Sequence, residues 1–244
     1  MNINRISRLA APLLVSLCVS ASVLAEDVKL GRNAKATEQA VAALILSDIY
    51  SQAGLNAVVE PMPAARANAA AVAGKKHGEV GRIQAYADNN PSLIQVKPPY
   101  YYITTTGFAK NEQNISISTR EDLAKYKVGV IRGVAHTHAA TDGHPNTQVV
   151  SDADQLYKML AAGRIDIALD AGINGPYMLK KLGIKGVSAI GDLARLDLFA
   201  ILHPSRSGLE PKIASAVQEL IDTNKLDALI EKHESAFLAS GAPN

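Results

Sequence analysis

Three of the chain's six histidines, His136, His138 and His144, crowd into the stretch VGVIRGVAHTHAATDGH, with Asp142 among them. Imidazole and carboxylate are donors that zinc accepts, so a metal site on His136, His138 and His144 is one reading. The spacing opposes it. The histidines follow Gly133, where a strand hands over to a helix, and on a helix positions i and i+2 point about 200° apart. His138 and Asp142 are i,i+4 neighbours, an ordinary helix-surface pair. No metal ligand is therefore assigned. The competing reading is anion recognition at a strand–glycine–helix turn, where the first backbone N–H groups of the helix, those of Val134, Ala135 and His136, lack partners. Arg132 adds a permanent positive charge and His136 a switchable one. Arg132, Gly133 and His136 thus enter the candidate site, and His144, beside Pro145, is left as loop surface.

Other residues carry the right chemistry singly. Arg82 stands near the end of a strand, where a charge needs solvent or a partner, and a guanidinium fork suits a carboxylate. Arg66 opens a helix just after Pro63; its plain alternative is a solvated helix residue. Tyr100 and Tyr102 share one face of an extended segment, where rings either stack on a ligand or pack the segment onto a lobe. Thr105 offers a hydroxyl, although threonine is also simply a good strand former. Asp170 reaches a site only if its strand has already ended, because one residue along a strand changes the face. Catalysis has little support: there is no Gly-x-Ser-x-Gly elbow, no Walker loop and no HExxH. Nor does any motif call for a cofactor.

The chain's ends and charge place these residues in a compartment. Arg5 and Arg8 precede an apolar run from Leu9 to Val23, and Val23-Leu24-Ala25 offers a signal-peptidase site. Residues 1–25 read as a secretory signal cleaved after Ala25, too short and too rich in Ser and Ala to serve as a span. The single cysteine, Cys18, leaves with it, so the mature chain has neither disulfide nor thiolate chemistry. An exported protein without disulfides fits a bacterial periplasm, provided its core is large enough. The whole chain has 25 Lys+Arg against 23 Asp+Glu, and the leader removes two arginines. That balance argues against nucleic acid or an anionic membrane as partner.

Strands and helices alternate along the remainder. Val28–Gly31 reads as a strand, and Thr37 caps a helix whose Val41, Leu44, Ile45 and Ile49 recur at helical spacing until Gly54. Ala57–Glu60 is a second strand, Ala64–Ala73 a helix closed by Gly74, and Glu79–Ile83 a third strand. This βαβαβ order predicts a mostly parallel sheet with helices on its faces. Gln95–Ala109, rich in Pro, Tyr and Thr, reads as a crossover more than a core strand. The alternation then restarts, with a helix near Thr119, a strand over Lys127–Arg132 and a Ser151-Asp152 cap for a helix ending at Gly163. A strand over Ile165–Leu169 and a helix over Gly175–Leu182 follow. Last come a strand over Leu198–Leu202 and a helical stretch over Pro211–Leu238, broken at Thr223-Asn224. Two α/β halves joined through an extended segment imply two lobes, with a ligand cleft where their strand ends face each other.

Several short motifs occur in a telling order: Pro63-Ala64-Ala65-Arg66-Ala67, Gly78-Glu79-Val80-Gly81-Arg82, Pro99-Tyr100-Tyr101, Leu123 through Gly133, and Leu160-Ala161-Ala162-Gly163-Arg164-Ile165-Asp166. Together they resemble the family 3 periplasmic solute-binding proteins, the polar-amino-acid receptors of ABC transporters, in a short divergent form. The resemblance implies a type 2 Venus-flytrap fold, with lobe 1 from residues 26–106 plus 198–244 and lobe 2 from 107–197. It implies a monomeric receptor that closes on a small polar solute and presents it to an inner-membrane ABC permease or a sensor. The family's carboxylate-binding arginine has no counterpart in Ile83–Asn90, so Arg82 is the substitute. Its amine-binding aspartate falls on Ala171, with Asp170 one residue short. A few enzymes of this fold, such as cyclohexadienyl dehydratases, use a cleft carboxylate, and Glu60 or Asp170 would be cast in that role. The preferred reading is non-enzymatic: an anionic or zwitterionic, amino-acid-like ligand held by Arg66, Arg82, Tyr100, Tyr102, Thr105, Arg132, Gly133, His136 and Asp170, with no cofactor.

Overall fold

The computed structural model describes residues 25–240; the expected leader, Ala25 apart, lies outside them. The first strand, β1 (Glu26–Asn33), is followed by α1 (Thr37–Gln52), which buries Val41, Ile45, Leu46, Ile49 and Tyr50. Next come β2 (Leu55–Met62), α2 (Ala64–Val72), β3 (Gly78–Arg82) and a short α3 (Gln84–Asn89). Pro63 stands just ahead of α2 with φ −57°, a value proline supplies at a helix start without losing a needed N–H. A long strand, β4 (Ile94–Lys110), then leads to a 3₁₀ turn over Arg120–Leu123, closed by a capping box between Thr119 and Asp122. After it come β5 (Val128–Ile131), α4 (Ala135–Ala140), β6 (Thr147–Val150) and α5 (Ala153–Ala161). Asp152 caps α5 by accepting the Gln155 N–H at 2.8 Å. The chain finishes with β7 (Ile167–Ala171), α6 (Asn174–Leu182), β8 (Val187–Leu202), α7 (Glu210–Asp222) and α8 (Leu226–Ser240). The expected break between α7 and α8 is present, with Asn224 left-handed at φ 54°.

The eight strands of the described residues form one sheet in the order β2-β1-β3-β8-β4-β7-β5-β6. Within each half the pairing is parallel, but β3–β8, β8–β4 and β4–β7 are antiparallel. The sheet is therefore mixed rather than mostly parallel. The expectation for Gln95–Ala109 also changes: β4 is a central strand, hydrogen-bonded to β8 on one side and β7 on the other. It does cross between halves, so its Tyr and Thr residues serve both roles.

The cores separate along the same line. One joins Val28, Leu30, Ile45, Leu46, Tyr100 and Ile103 to Leu198, Ile213 and Phe237; this is lobe 1. Two others, around Phe108, Leu156, Tyr157 and Leu160 and around Ile117, Leu123, Val130 and Leu169, build lobe 2. Each fully buried Leu, Ile or Phe contributes about 1.5–3 kcal/mol over leaving it exposed. The strands β4 and β8 run through both lobes and are their hinge. Among the described residues no helix is long and apolar enough to cross a membrane.

Candidate functional site

Topology fixes where a ligand would lie. Strand β4 runs from lobe 1 into lobe 2; β1 and β3 run in its sense and β5 and β7 against it. The C-terminal ends of β1 and β3 therefore face those of β5 and β7 across a cleft spanned by the hinge. Ligands of α/β sheets bind at such carboxyl ends.

On the lobe 1 wall, Asn33 donates its N–H to Gln39 Oε1 at 2.7 Å, and Gln39 Nε2 donates to the Gly81 carbonyl at 3.4 Å, tying the ends of β1 and β3 to α1. Arg32, at the end of β1, is 3% exposed, and burial lowers its pKa. Glu38 follows in the first turn of α1; burial pushes its carboxyl up, opposed by its own backbone N–H and by the charge of Arg82. Arg82 itself is not an open fork. Its guanidinium closes on Glu79, which is completely buried, and lies 4.6 Å from the ring centre of Tyr86. The Tyr86 hydroxyl donates to Glu79 Oε1 at 3.1 Å. Arg66 is exposed on α2, away from any ion pair among the described residues. Tyr100 is 1% exposed inside the lobe 1 core, whereas Tyr102 is half-buried under the Arg195 guanidinium, 3.5 Å from its ring centre.

On the lobe 2 wall, β5 ends at Ile131 and Gly133 takes φ +80° before α4 begins. A Cβ there would meet nothing within 4 Å, so only the left-handed backbone demands glycine. Gly133→Ala is accordingly expected to cost about 1–2 kcal/mol, read as a lower denaturant midpoint at unchanged m-value. The Val134 N–H, expected to be free, donates to the Ile131 carbonyl at 3.2 Å, and α4 is only six residues long. Arg132 is exposed and makes no ion pair among the described residues. His136 is largely enclosed, its Nδ1 2.8 Å from Thr105 Oγ1, and burial lowers its pKa to about 4. It is thus a neutral hydrogen-bonding ring near neutrality, not the switchable cation expected from the sequence.

The histidines do not converge. His136 is bonded to Thr105 on β4, while His144 Nε2 donates to the Leu123 carbonyl at 2.8 Å and its Nδ1 lies 3.2 Å from Thr147 Oγ1. Among the described residues no group of three His, Cys, Asp or Glu is placed to hold a metal ion. The metal alternative thus has no assembled ligand set.

Asp170 stands inside β7, because that strand continues through Ala171 rather than ending at Leu169. It is 3% exposed, accepts the Ala171 N–H at 2.8 Å on Oδ1, and accepts Asn174 Nδ2 on Oδ2. Asn174 in turn accepts the Thr37 hydroxyl at 2.8 Å from the opposite wall. Burial pushes Asp170 up to about 7, while the Ala171 and Asn174 donors pull it back down. At the hinge, Thr106 donates to Asp192 Oδ1 at 2.6 Å and shares a 2.7 Å bond with Thr104. Gly172 permits this cluster, since a Cβ there would sit 2.4 Å from Thr104 Oγ1.

The structure thus brings Thr105 and His136 together, places Arg132, Gly133 and Asp170 on lobe 2, and gives Arg82 an internal partner. Arg32, Glu38 and Asn174 escaped the sequence reading, and Thr37, expected to cap α1, is instead its first residue and gives its hydroxyl to Asn174. Arg32 follows the apolar end of β1 and satisfies the same strand-end criterion that picked out Arg82. Nothing local in the sequence marks Asn174.

No protein-family model and no curated protein matches the chain in sequence. Solved structures do match in fold. An ancestral arginine-binding protein bound to arginine superimposes with a TM-score of 0.65 at 20% identity, over 86% of this chain and 98% of its own. An amino acid ABC transporter substrate-binding protein from Streptococcus pneumoniae, bound to L-arginine, gives 0.66 at 16% identity, over 87% and 96%. A histidine kinase sensor domain with similarity to periplasmic binding proteins gives 0.66 at 16%, over 86% and 96%. At these identities the likeness establishes architecture: the chain has the two-lobed α/β fold of the periplasmic binding proteins, with its cleft between the lobes.

Proposed function

We propose that this protein is a periplasmic solute-binding protein that closes on a small zwitterionic, amino-acid-like solute and performs no chemistry on it. The observation that carries the reading is the pairing of charges across the cleft. Glu38 from lobe 1 lies close enough to Asp170 of lobe 2 for its charge to help push the Asp170 carboxyl up, while Arg32 and Arg132 stand at the ends of β1 and β5. An amino acid presents both signs, so its ammonium suits the carboxylates and its carboxylate the arginines. The lobes are assigned as residues 26–106 with 198–244, and 107–197, in keeping with the division of the cores. The leader delivers the chain to the periplasm. Fold neighbours include both a transporter component and a kinase sensor domain, so the closed receptor is presented to a permease or a sensor.

A thermal-shift screen with L-arginine, L-glutamine, L-glutamate, dicarboxylates and zinc tests this. A ligand at 100 times its Kd stabilises by about 2.7 kcal/mol, and an amino acid should raise the midpoint accordingly. Glu38→Gln and Arg132→Met should then each weaken that ligand by about tenfold, from loss of a charge-assisted hydrogen bond. Stabilisation by zinc alone, lost in His136→Ala and His138→Ala, would overturn the proposal; conversion of the bound solute to a product would favour the dehydratase alternative.

A further inference from the structure

We infer that one face of α6 is a clasp that holds the two lobes shut, independently of any solute. Helix α6 belongs to lobe 2: Met178 is buried in that core, and Leu179 and Leu182 pack on it. Yet Asn174, Tyr177 and Lys180, spaced i, i+3 and i+6 on one face, all engage lobe 1. At the cleft end, Asn174 accepts the hydroxyl of Thr37 from the start of α1, and both residues are 8% exposed. In the middle, the Tyr177 ring lies 5.3 Å from that of Phe237 on α8, and Tyr177 packs against the cores of both lobes. At the outer end, Lys180 Nζ donates to the carbonyls of Leu238 and Ala239 at 2.6 and 2.8 Å. These carbonyls lie in the last described turn of α8, on the C-terminal side of the helix, where the helix dipole favours a cation.

Helix α8 is otherwise a lobe 1 element, with Ile230 and Phe237 in its core and Lys232 and His233 paired to Asp48 of α1. Its final turn reaches across to lobe 2. Rotation about β4 and β8 that separates the facing ends of β1 and β7 pulls Asn174 from Thr37 and drags Tyr177 and Lys180 along α8. The stripe therefore favours the shut arrangement, and a solute gains affinity because part of the closing cost is already met.

The test uses the mature chain, which lacks Cys18, with spin labels at Val58→Cys and Val149→Cys. These positions are 40% and 48% exposed on β2 and β6, the two edges of the sheet. The distance distribution between labels, measured without solute, should be short and narrow. Lys180→Met should raise the long-distance population about threefold and Tyr177→Ala about tenfold, while Lys180→Arg keeps the short distance. Lys180 is exposed, so its variant should melt like the parent. Unchanged or shorter distances in Lys180→Met would overturn the inference. Because the measurement needs no solute, it stands apart from the screen: absence of amino-acid binding would sink the proposed function and leave the clasp.

Discussion

Arg82→Met is expected to destabilise the protein by roughly 3–5 kcal/mol, the usual cost of removing one partner of a buried ion pair. The side chain of Glu79 is fully buried, and Arg82 is its ionic partner. Without the guanidinium, the remaining side-chain partner of Glu79 among the described residues is the Tyr86 hydroxyl, which lies closer to Asn68 Oδ1, at 2.7 Å, and burial already pushes the Glu79 carboxyl up. It must then either ionise alone in a dry setting or take up a proton. The double variant Glu79→Met/Arg82→Met should recover most of the loss, because two apolar groups of similar shape leave no orphaned charge. Urea midpoints of the two single variants and the double variant measure this coupling. If Arg82→Met instead melts like the parent but no longer binds solute, the arginine is a ligand clamp.

The second large effect is a pair of opposed pH dependences. Asp170, pushed to about 7 from an ordinary 3.8, holds a proton in the folded state that the unfolded chain has released. Its contribution therefore falls as pH rises from about 4 to 7. His136, lowered to about 4 from 6.5, stays neutral in the folded state while the unfolded chain takes up a proton. Its contribution falls as pH drops from about 6.5 to 4. Over the shared window the two slopes oppose and largely cancel. Asp170→Asn should expose the histidine slope, with stability lost on acidification, and His136→Gln the aspartate slope, with stability lost on raising the pH. The difference curve against the parent should span about 4 kcal/mol for Asp170→Asn and about 3 kcal/mol for His136→Gln. Denaturant titrations at half-unit pH steps decide it; parallel curves for parent and variants would mean that neither group is buried as described.

What was legible in the sequence divides by range of interaction. Helices α1, α2 and α5 end at Gly54, Gly74 and Gly163, all left-handed at φ 67–73°, and such stop signals are local. The front half of β8 was not legible. Ser188, Asp192, Arg195 and Asp197 give no apolar alternation; they are a strand because β4 pairs with them. Asp170 was placed beyond a strand for the same reason, since β7 is prolonged by pairing of Thr105 and Thr106 with Ala171 and Asp170. Arg82 was found at a strand end, but its partner was not. Gly81, at φ 43° beside an irregularity in the β3–β8 register, accompanies the turn that lets Arg82 meet Glu79.

The divided core of lobe 1 has a consequence for how the chain folds. Both lobe 2 cores come from one unbroken run, Ile117 and Phe108 through Met178, whereas lobe 1 must join Val28–Ile103 to Leu198–Phe237. Contacts between such distant segments form late, because the intervening chain must first be closed into a loop. Amides of β5 and β7 should thus gain exchange protection during refolding before those of β1 and β3. The lobe that begins first in the sequence is the one completed last.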